Sequence, residues 1–205
     1  MVVHFNRYRK RRIAPPLVLV DMHQEQLDYE AGFSTKRVLP VLAKCRQLLE
    51  RARSQKWPVA FVRPLPKVPW DYAGLAGQPV PRWIEGFEPL RTDMIFDRTA
   101  SSCYTSAEFY GAMDEAGGEF VLAGFSADTT CLTTLTDAAR VNHCTGLIED
   151  ATTTRPLSGL SAVDSHRAVM ALASRYATIM TAKGWIEAAQ LSPSPLERTR
   201  VITHS

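Results

Sequence analysis

The chain has 205 residues, 45% of them hydrophobic and 22% charged, a balance that fits one globular domain large enough to bury a substantial core. No apolar run approaches the length of a membrane span, which speaks against a spanning protein. The net charge of +3 is too mild to mark the whole chain as a partner of nucleic acid or acidic membranes.

The opening stretch, MVVHFNRYRKRRIAPPLVLVD, places Arg7, Arg9, Lys10, Arg11 and Arg12 ahead of apolar residues, as a signal peptide would. Its apolar part is short, begins at Pro15 and Pro16, and runs into Asp21 with no small-residue cleavage site. It reads as a basic N-terminal arm over residues 1–14 followed by a core strand. The arm is expected to be a solvated tail or a subunit contact, because no aromatic-basic pattern accompanies it to suggest nucleic acid.

PLVLVD (16–21) is a continuous apolar strand of the kind covered on both faces. A helix is expected over 34–55, with Ser34 as its N-cap, Pro40 early enough to be tolerated, and Val38, Leu42, Cys45 and Leu49 along one face. Further strands are expected at 58–63, 93–98, 119–125, 145–150 and 177–182, with helical runs near 104–116, 129–143 and 160–175. This alternation predicts parallel βαβ units in a three-layer α/β/α sandwich with a six-stranded, Rossmann-like sheet, forming one domain over 15–190 and a tail over 191–205. Ligands of such sheets bind at the carboxyl ends of the strands.

One segment breaks the rhythm. Residues 63–92 are rich in Pro and Gly and carry Trp70, Tyr72, Trp83 and Phe87. A connection this long is usually functional or disordered, and its aromatics argue for a loop that covers a pocket or contacts a subunit. Those four residues, with Tyr104, are the candidates for substrate binding.

Cys45, Cys103, Cys131 and Cys144 show no CxxC and no zinc spacing, and the five histidines are scattered. The thiols are therefore expected to be reduced, in a cytoplasmic protein without metal or cofactor. Cys45 falls on an apolar helix face and reads as packing; Cys103 and Cys144 also favour the inert reading. Cys131, in GFSADTTCLTTLTDAARVN (124–142), stands where a strand gives way to a helix. There it is either a small apolar filler or a nucleophile.

The strand ends favour the nucleophile. Asp21 closes the first strand and Arg98 the third, and a buried aspartate is costly unless paired. An arginine from an adjacent strand end would pair it. A helix N-terminus and a nearby Arg98 would both favour thiolate at Cys131. Asp150, at the end of the fifth strand, is expected to do no more than satisfy neighbouring backbone N–H groups.

With these residues in place, the chain resembles the isochorismatase-like cysteine hydrolase superfamily, which includes N-carbamoylsarcosine amidases, nicotinamidases and isochorismatases. LVLVDMHQEQL looks like the family's first strand with its catalytic aspartate. GFEPLRTDMIFDRTASSCYTSAEF is similar to the segment carrying the catalytic lysine, four residues ahead of a triplet that is here Ser102, Cys103 and Tyr104. VLAGFSADTTCLTTLTDAARVNHCTGLIEDATTT resembles the nucleophile motif, and SHRAVMALASRYATIMTAKGWI the closing helix and strand.

The resemblance implies Asp21 as general acid/base, Cys131 as nucleophile, and a cis peptide at Ser126–Ala127 that aims the amides of Ala127 and Cys131 at an oxyanion. It also implies a homodimer or homotetramer acting on a small molecule. Arg98 stands where the family has lysine, and it cannot donate and retrieve a proton as lysine can. His23, where many members have glutamine, is either a titrating neighbour of Asp21 or a surface substitution. The metal-binding Asp/His set of nicotinamidases has no match in the 63–91 segment.

The activity so implied is hydrolysis of a small amide or N-carbamoyl compound, a carbon–nitrogen bond other than a peptide bond, through a thioester. The alternatives are vinyl-ether hydrolysis with Asp21 as acid and Arg98 clasping a substrate carboxylate, and a non-catalytic member of the family.

Overall fold

The computed structural model describes residues 14–65 and 81–191. The basic arm through residue 13, the segment 66–80 with Trp70 and Tyr72, and residues 192–205 lie outside the described residues.

Six strands form one parallel sheet: β1 (Leu17–Val20), β2 (Val59–Pro64), β3 (Met94–Arg98), β4 (Glu119–Gly124), β5 (Cys144–Thr152) and β6 (Thr178–Met180), in the order β3-β2-β1-β4-β5-β6. The helices are α1 (Gln24–Ser54), α2 (Ala107–Glu115), α3 (Leu132–Arg140), α4 (Ala162–Ala173) and α5 (Ala182–Leu191). α5 has no counterpart among the predicted elements.

The pleat divides the core in two. Leu17 and Leu19 of β1, Val59 and Phe61 of β2, and Val121 and Ala123 of β4 face one way, against Cys45, Leu48, Leu49 and Ala52 of α1 and Trp185 of α5. Val18, Val20, Ala60, Val62, Phe120 and Leu122 face the other way, against Phe109 and Met113 of α2, Leu135 and Ala138 of α3, and Val169 and Met170 of α4. Both faces of β1 are therefore covered, which is why its sequence is apolar without alternation.

α1 departs most from the predicted pattern. It starts at Gln24 rather than near Ser34, capped by the His23 ring, and Pro40 lies deep in its interior. A glycine at 32 and a proline at 40 oppose a continuous helix locally. Burial of Val38, Cys45, Leu48, Leu49 and Ala52 along one face outweighs that opposition.

The chain reverses its direction of winding between β1 and β4, so the crevice at their carboxyl ends is the topological switch point. β1 and β4 approach closely there. Gly124 has φ +113°, and a Cβ on it would stand 2.2 Å from the Val20 carbonyl oxygen. Gly124→Ala is expected to cost on the order of 2–3 kcal/mol, read as a lowered midpoint in urea denaturation. An unchanged midpoint would contradict this close approach.

Candidate active site

β1 ends in a turn that no glycine makes. Asp21 adopts φ +55°, in the left-handed region, with its N–H donating to the Val62 carbonyl at 2.8 Å and its own carbonyl accepting from His23 N–H at 2.8 Å. That backbone costs about 1 kcal/mol or more in a residue with a Cβ. It holds the Asp21 carboxylate in the crevice, 1% exposed.

Arg98 meets it there and is equally buried. Nη2 donates to Asp21 Oδ2 at 2.8 Å and Nε to Oδ1 at 3.4 Å, while Nη1 donates to the Ala100 carbonyl at 2.5 Å. The arginine does not come from an adjacent strand, as expected, but from the next but one. β2 lies between, and Arg98 pairs in register with Pro64, two residues beyond the Val62 that faces Val20. The long side chain reaches back over the end of β2.

The third partner was not foreseen. Thr130 Oγ1 donates to Asp21 Oδ2 at 3.1 Å, which ties the carboxylate to the residue before Cys131. Nothing in the sequence pattern distinguishes Thr130 from its neighbour Thr129; only the winding of the turn does.

That turn is wider than an α-helix. Residues Ala127–Cys131 form a π-turn leading into α3, and Cys131 N–H donates to the Ser126 carbonyl at 3.1 Å. Two expectations change. The cis peptide is Phe125–Ser126, not Ser126–Ala127. Cys131 also lies one turn inside the helical path rather than at its open end, with its N–H already bonded. The Ala127 amide is engaged too, donating to the Thr153 carbonyl at 2.7 Å. Neither amide named for the oxyanion is free in this conformation.

The thiol is correspondingly not acidified. Burial pushes the Cys131 thiol well above its ordinary value, and Cys103, Asp21, Asp128 and Cys45 act in the same direction. The Arg98 charge that was expected to lower it is engaged by Asp21. Cys45 and Cys103 are buried thiols pushed up to about 12 by the same desolvation, as inert packing requires.

His23 is no surface substitution. Its ring is 1% exposed, and Nδ1 accepts the Gln26 N–H at 3.2 Å. Burial, the largest influence, draws its pKa below 6.5, with Asp21 and Glu25 opposing and Arg98 reinforcing.

A second buried polar cluster supports the π-turn from behind. Glu30 of α1 accepts from Gln26 Nε2 at 2.8 Å and from Thr153 Oγ1 at 3.1 Å. Thr153 in turn holds Ala127. Burial raises the Glu30 carboxyl above its ordinary value. Arg155 Nη2 pairs with Asp128 Oδ2 at 3.2 Å. Sequence reasoning missed these residues because each looks like an ordinary surface polar group.

The aromatic candidates divide. Trp83 lies beside the site: it bridges His23 through the backbone and packs edge-on against Phe61. Phe87 is wholly buried in the α1-side core under the Arg46 guanidinium, so it packs rather than binds. Tyr104 also turns away. Its hydroxyl hydrogen-bonds His143 Nδ1 at 2.7 Å, just ahead of β5 and so at the amino end of the sheet. Asp150 accepts the Ala182 N–H at 2.7 Å, as expected, and its other oxygen also stands 3.7 Å from Lys44 Nζ, although β5 continues two residues past it.

Among the described residues, no cluster of three His, Cys, Asp or Glu stands ready to hold a metal, and no helix is long and apolar enough to cross a membrane.

The switch-point crevice of this α/β fold thus holds a buried aspartate, its cationic partner and a cysteine-bearing turn. The isochorismatase domain model matches residues 15–184, and the chain belongs to that family of hydrolases. It is similar to the structure of an isochorismatase from Pseudomonas putida KT2440, with 24% identity and a TM-score of 0.69 over 89% of this chain and 98% of that one. It is likewise similar to a cysteine hydrolase from Pseudomonas syringae pv. phaseolicola 1448A, at 18% identity and TM-score 0.74 over 86% and 92%. N-carbamoylsarcosine amidase from Thermoplasma acidophilum aligns at 22% identity and TM-score 0.62 over 83% and 97%. At these identities the structures establish the shared fold. No curated protein sequence matches the chain.

Two outcomes test the site. Arg98→Met, which strands a buried carboxylate, should cost about 3–5 kcal/mol in chemical denaturation, and Arg98→Lys distinctly less. Equal loss in both would deny the bidentate pairing. Because the Cys131 thiol is raised, its alkylation by iodoacetamide should still be accelerating at pH 9. A plateau near pH 7 would show an acidified thiol instead.

Proposed function

We propose that the protein hydrolyses a carbon–nitrogen bond of a small amide or N-carbamoyl compound, with Cys131 as nucleophile and Asp21 as the proton carrier. The observation that supports this most is the buried Asp21–Arg98 pair joined through Thr130 to the cysteine-bearing turn. A buried charge pair adds little net stability over apolar packing, so its place in the crevice argues for chemistry.

Cys131 Sγ attacks the carbonyl carbon as its proton passes to Asp21. Asp21 hands that proton to the departing nitrogen, and ammonia or an amine leaves. A water then attacks the thioester carbon, losing its proton to Asp21, and the thiol is restored. Arg98, where the resemblance has lysine, keeps a fixed positive charge beside Asp21 and takes no proton itself. Because the Ala127 and Cys131 amides are engaged, stabilising an oxyanion calls for donors freed or newly aligned as substrate binds.

The raised thiol and the engaged amides favour a second reading, a family member without turnover. Vinyl-ether hydrolysis fits less well. Three of the five Arg98 N–H groups already donate to Asp21 and Ala100, so the arginine is committed chiefly to the aspartate rather than to a substrate carboxylate.

Ammonia release should be detected in a screen of small amides and N-carbamoyl compounds. Cys131→Ala and Asp21→Asn should each lower it by at least three orders of magnitude. Full activity in either variant would sink the mechanism; release from no compound would favour the non-catalytic reading.

A further inference from the structure

His23 carries a buried donor that no described residue accepts. Nδ1 closes the first turn of α1 by accepting the Gln26 N–H, which leaves the proton of the neutral ring on Nε2. Nε2 is buried and has no hydrogen-bond partner among the described residues. Glu25 Oε2 also stands 3.4 Å from Nδ1, a contact that a doubly protonated ring would serve. Burial keeps the ring neutral at physiological pH, so the Gln26 contact governs the tautomer.

His23 stands beside the crevice, two residues after Asp21. His23 N–H donates to the Asp21 carbonyl, Gln24 N–H to that of Arg82, and Ile84 N–H to that of Met22, so His23 lies between Asp21 and the 82–84 segment. The charged groups that bear on its ring are Asp21, Glu25 and Arg98. Two of these form the buried pair. A buried N–H without a protein acceptor is expensive and calls for a specific explanation, and beside the crevice a ligand oxygen is one that fits.

We propose that His23 Nε2–H is a substrate-binding donor that takes a carbonyl or carboxylate oxygen of the molecule bound beside Cys131. The assignment rests on the proposed hydrolase reading only in that the ligand occupies the crevice between Asp21 and Cys131. A donor fixed by the helix cap selects for substrates that present an acceptor at that point, and the ring is held there by the same bond that starts α1.

The test compares two alkylating agents at Cys131, followed by peptide mass spectrometry. In both reactions the thiolate displaces iodide. Iodoacetamide brings a carbonyl acceptor and iodomethane brings none. His23→Leu should lower the ratio of the iodoacetamide rate to the iodomethane rate about tenfold, whereas His23→Gln, which keeps an N–H donor, should hold it within about twofold. An unchanged ratio in His23→Leu overturns the assignment.

Should His23→Leu fail to fold, the wild-type protein still answers. The imidazole nitrogen resonances of its carboxamidomethyl and methyl adducts at Cys131 should differ at His23 Nε2, and identical resonances overturn the proposal. These rates and shifts do not depend on turnover. A protein that releases no ammonia from any amide would lose the proposed activity and leave the His23 result standing, and the converse holds equally.

Discussion

The buried contact between Asp21 and Arg98 is the constraint around which the crevice is built. Two opposite charges, each withdrawn from water, are tolerable only while they hold one another and their remaining polar atoms find partners. Ala100 and Thr130 supply those partners. The pair therefore fixes three separate pieces of chain: the left-handed turn after β1, the loop after β3, and the turn before α3. β2 lies between the two charged strand ends, so only a long side chain emerging two residues past the Val20–Val62 level could close the gap. Strand order, register and side-chain length are all parts of one electrostatic contact.

Much of this was legible from the residues. An unbroken apolar run announced a strand covered on both faces, and alternating strand and helix signals gave a parallel sheet whose ligands lie at the carboxyl ends. Asp21 and Arg98 could be matched because each would be costly alone. What escaped the sequence depended on winding and on tertiary packing. The start of α1 was obscured by Gly32 and Pro40, whose local preferences are overridden by burial along the helix. The cis peptide falls one residue earlier than expected, and the π-turn places Cys131 inward from the helix mouth. Phe87 and Tyr104 are aromatics whose composition fits binding as well as packing, and only their neighbours tell which.

The thiol is the case where two sound physical rules opposed one another. A helix N-terminus lowers a cysteine pKa through unpaired N–H groups and the helix dipole. Desolvation raises it by favouring the neutral form. At Cys131 the first rule is weakened, since the free end of the helical path is a turn upstream and the cysteine's own N–H is already bonded to Ser126. The second acts at full strength in a wholly buried side chain. The resting thiol is accordingly protonated, and in the proposed reaction the nucleophile is created when substrate arrives rather than stored beforehand.

That requirement bears on residue 98. A lysine beside the aspartate could share in proton movement; an arginine holds its charge throughout. In the proposed reaction Arg98 leaves Asp21 as the group of this contact that accepts the thiol proton, carries it to a leaving group and collects another from water. The left-handed backbone at Asp21 and the hydroxyl of Thr130 keep its carboxylate beside the turn where that exchange would occur. The same fixed charge that makes a buried aspartate affordable also leaves it without a deputy, so the chemistry of the crevice and the stability of its charge pair cannot be altered independently.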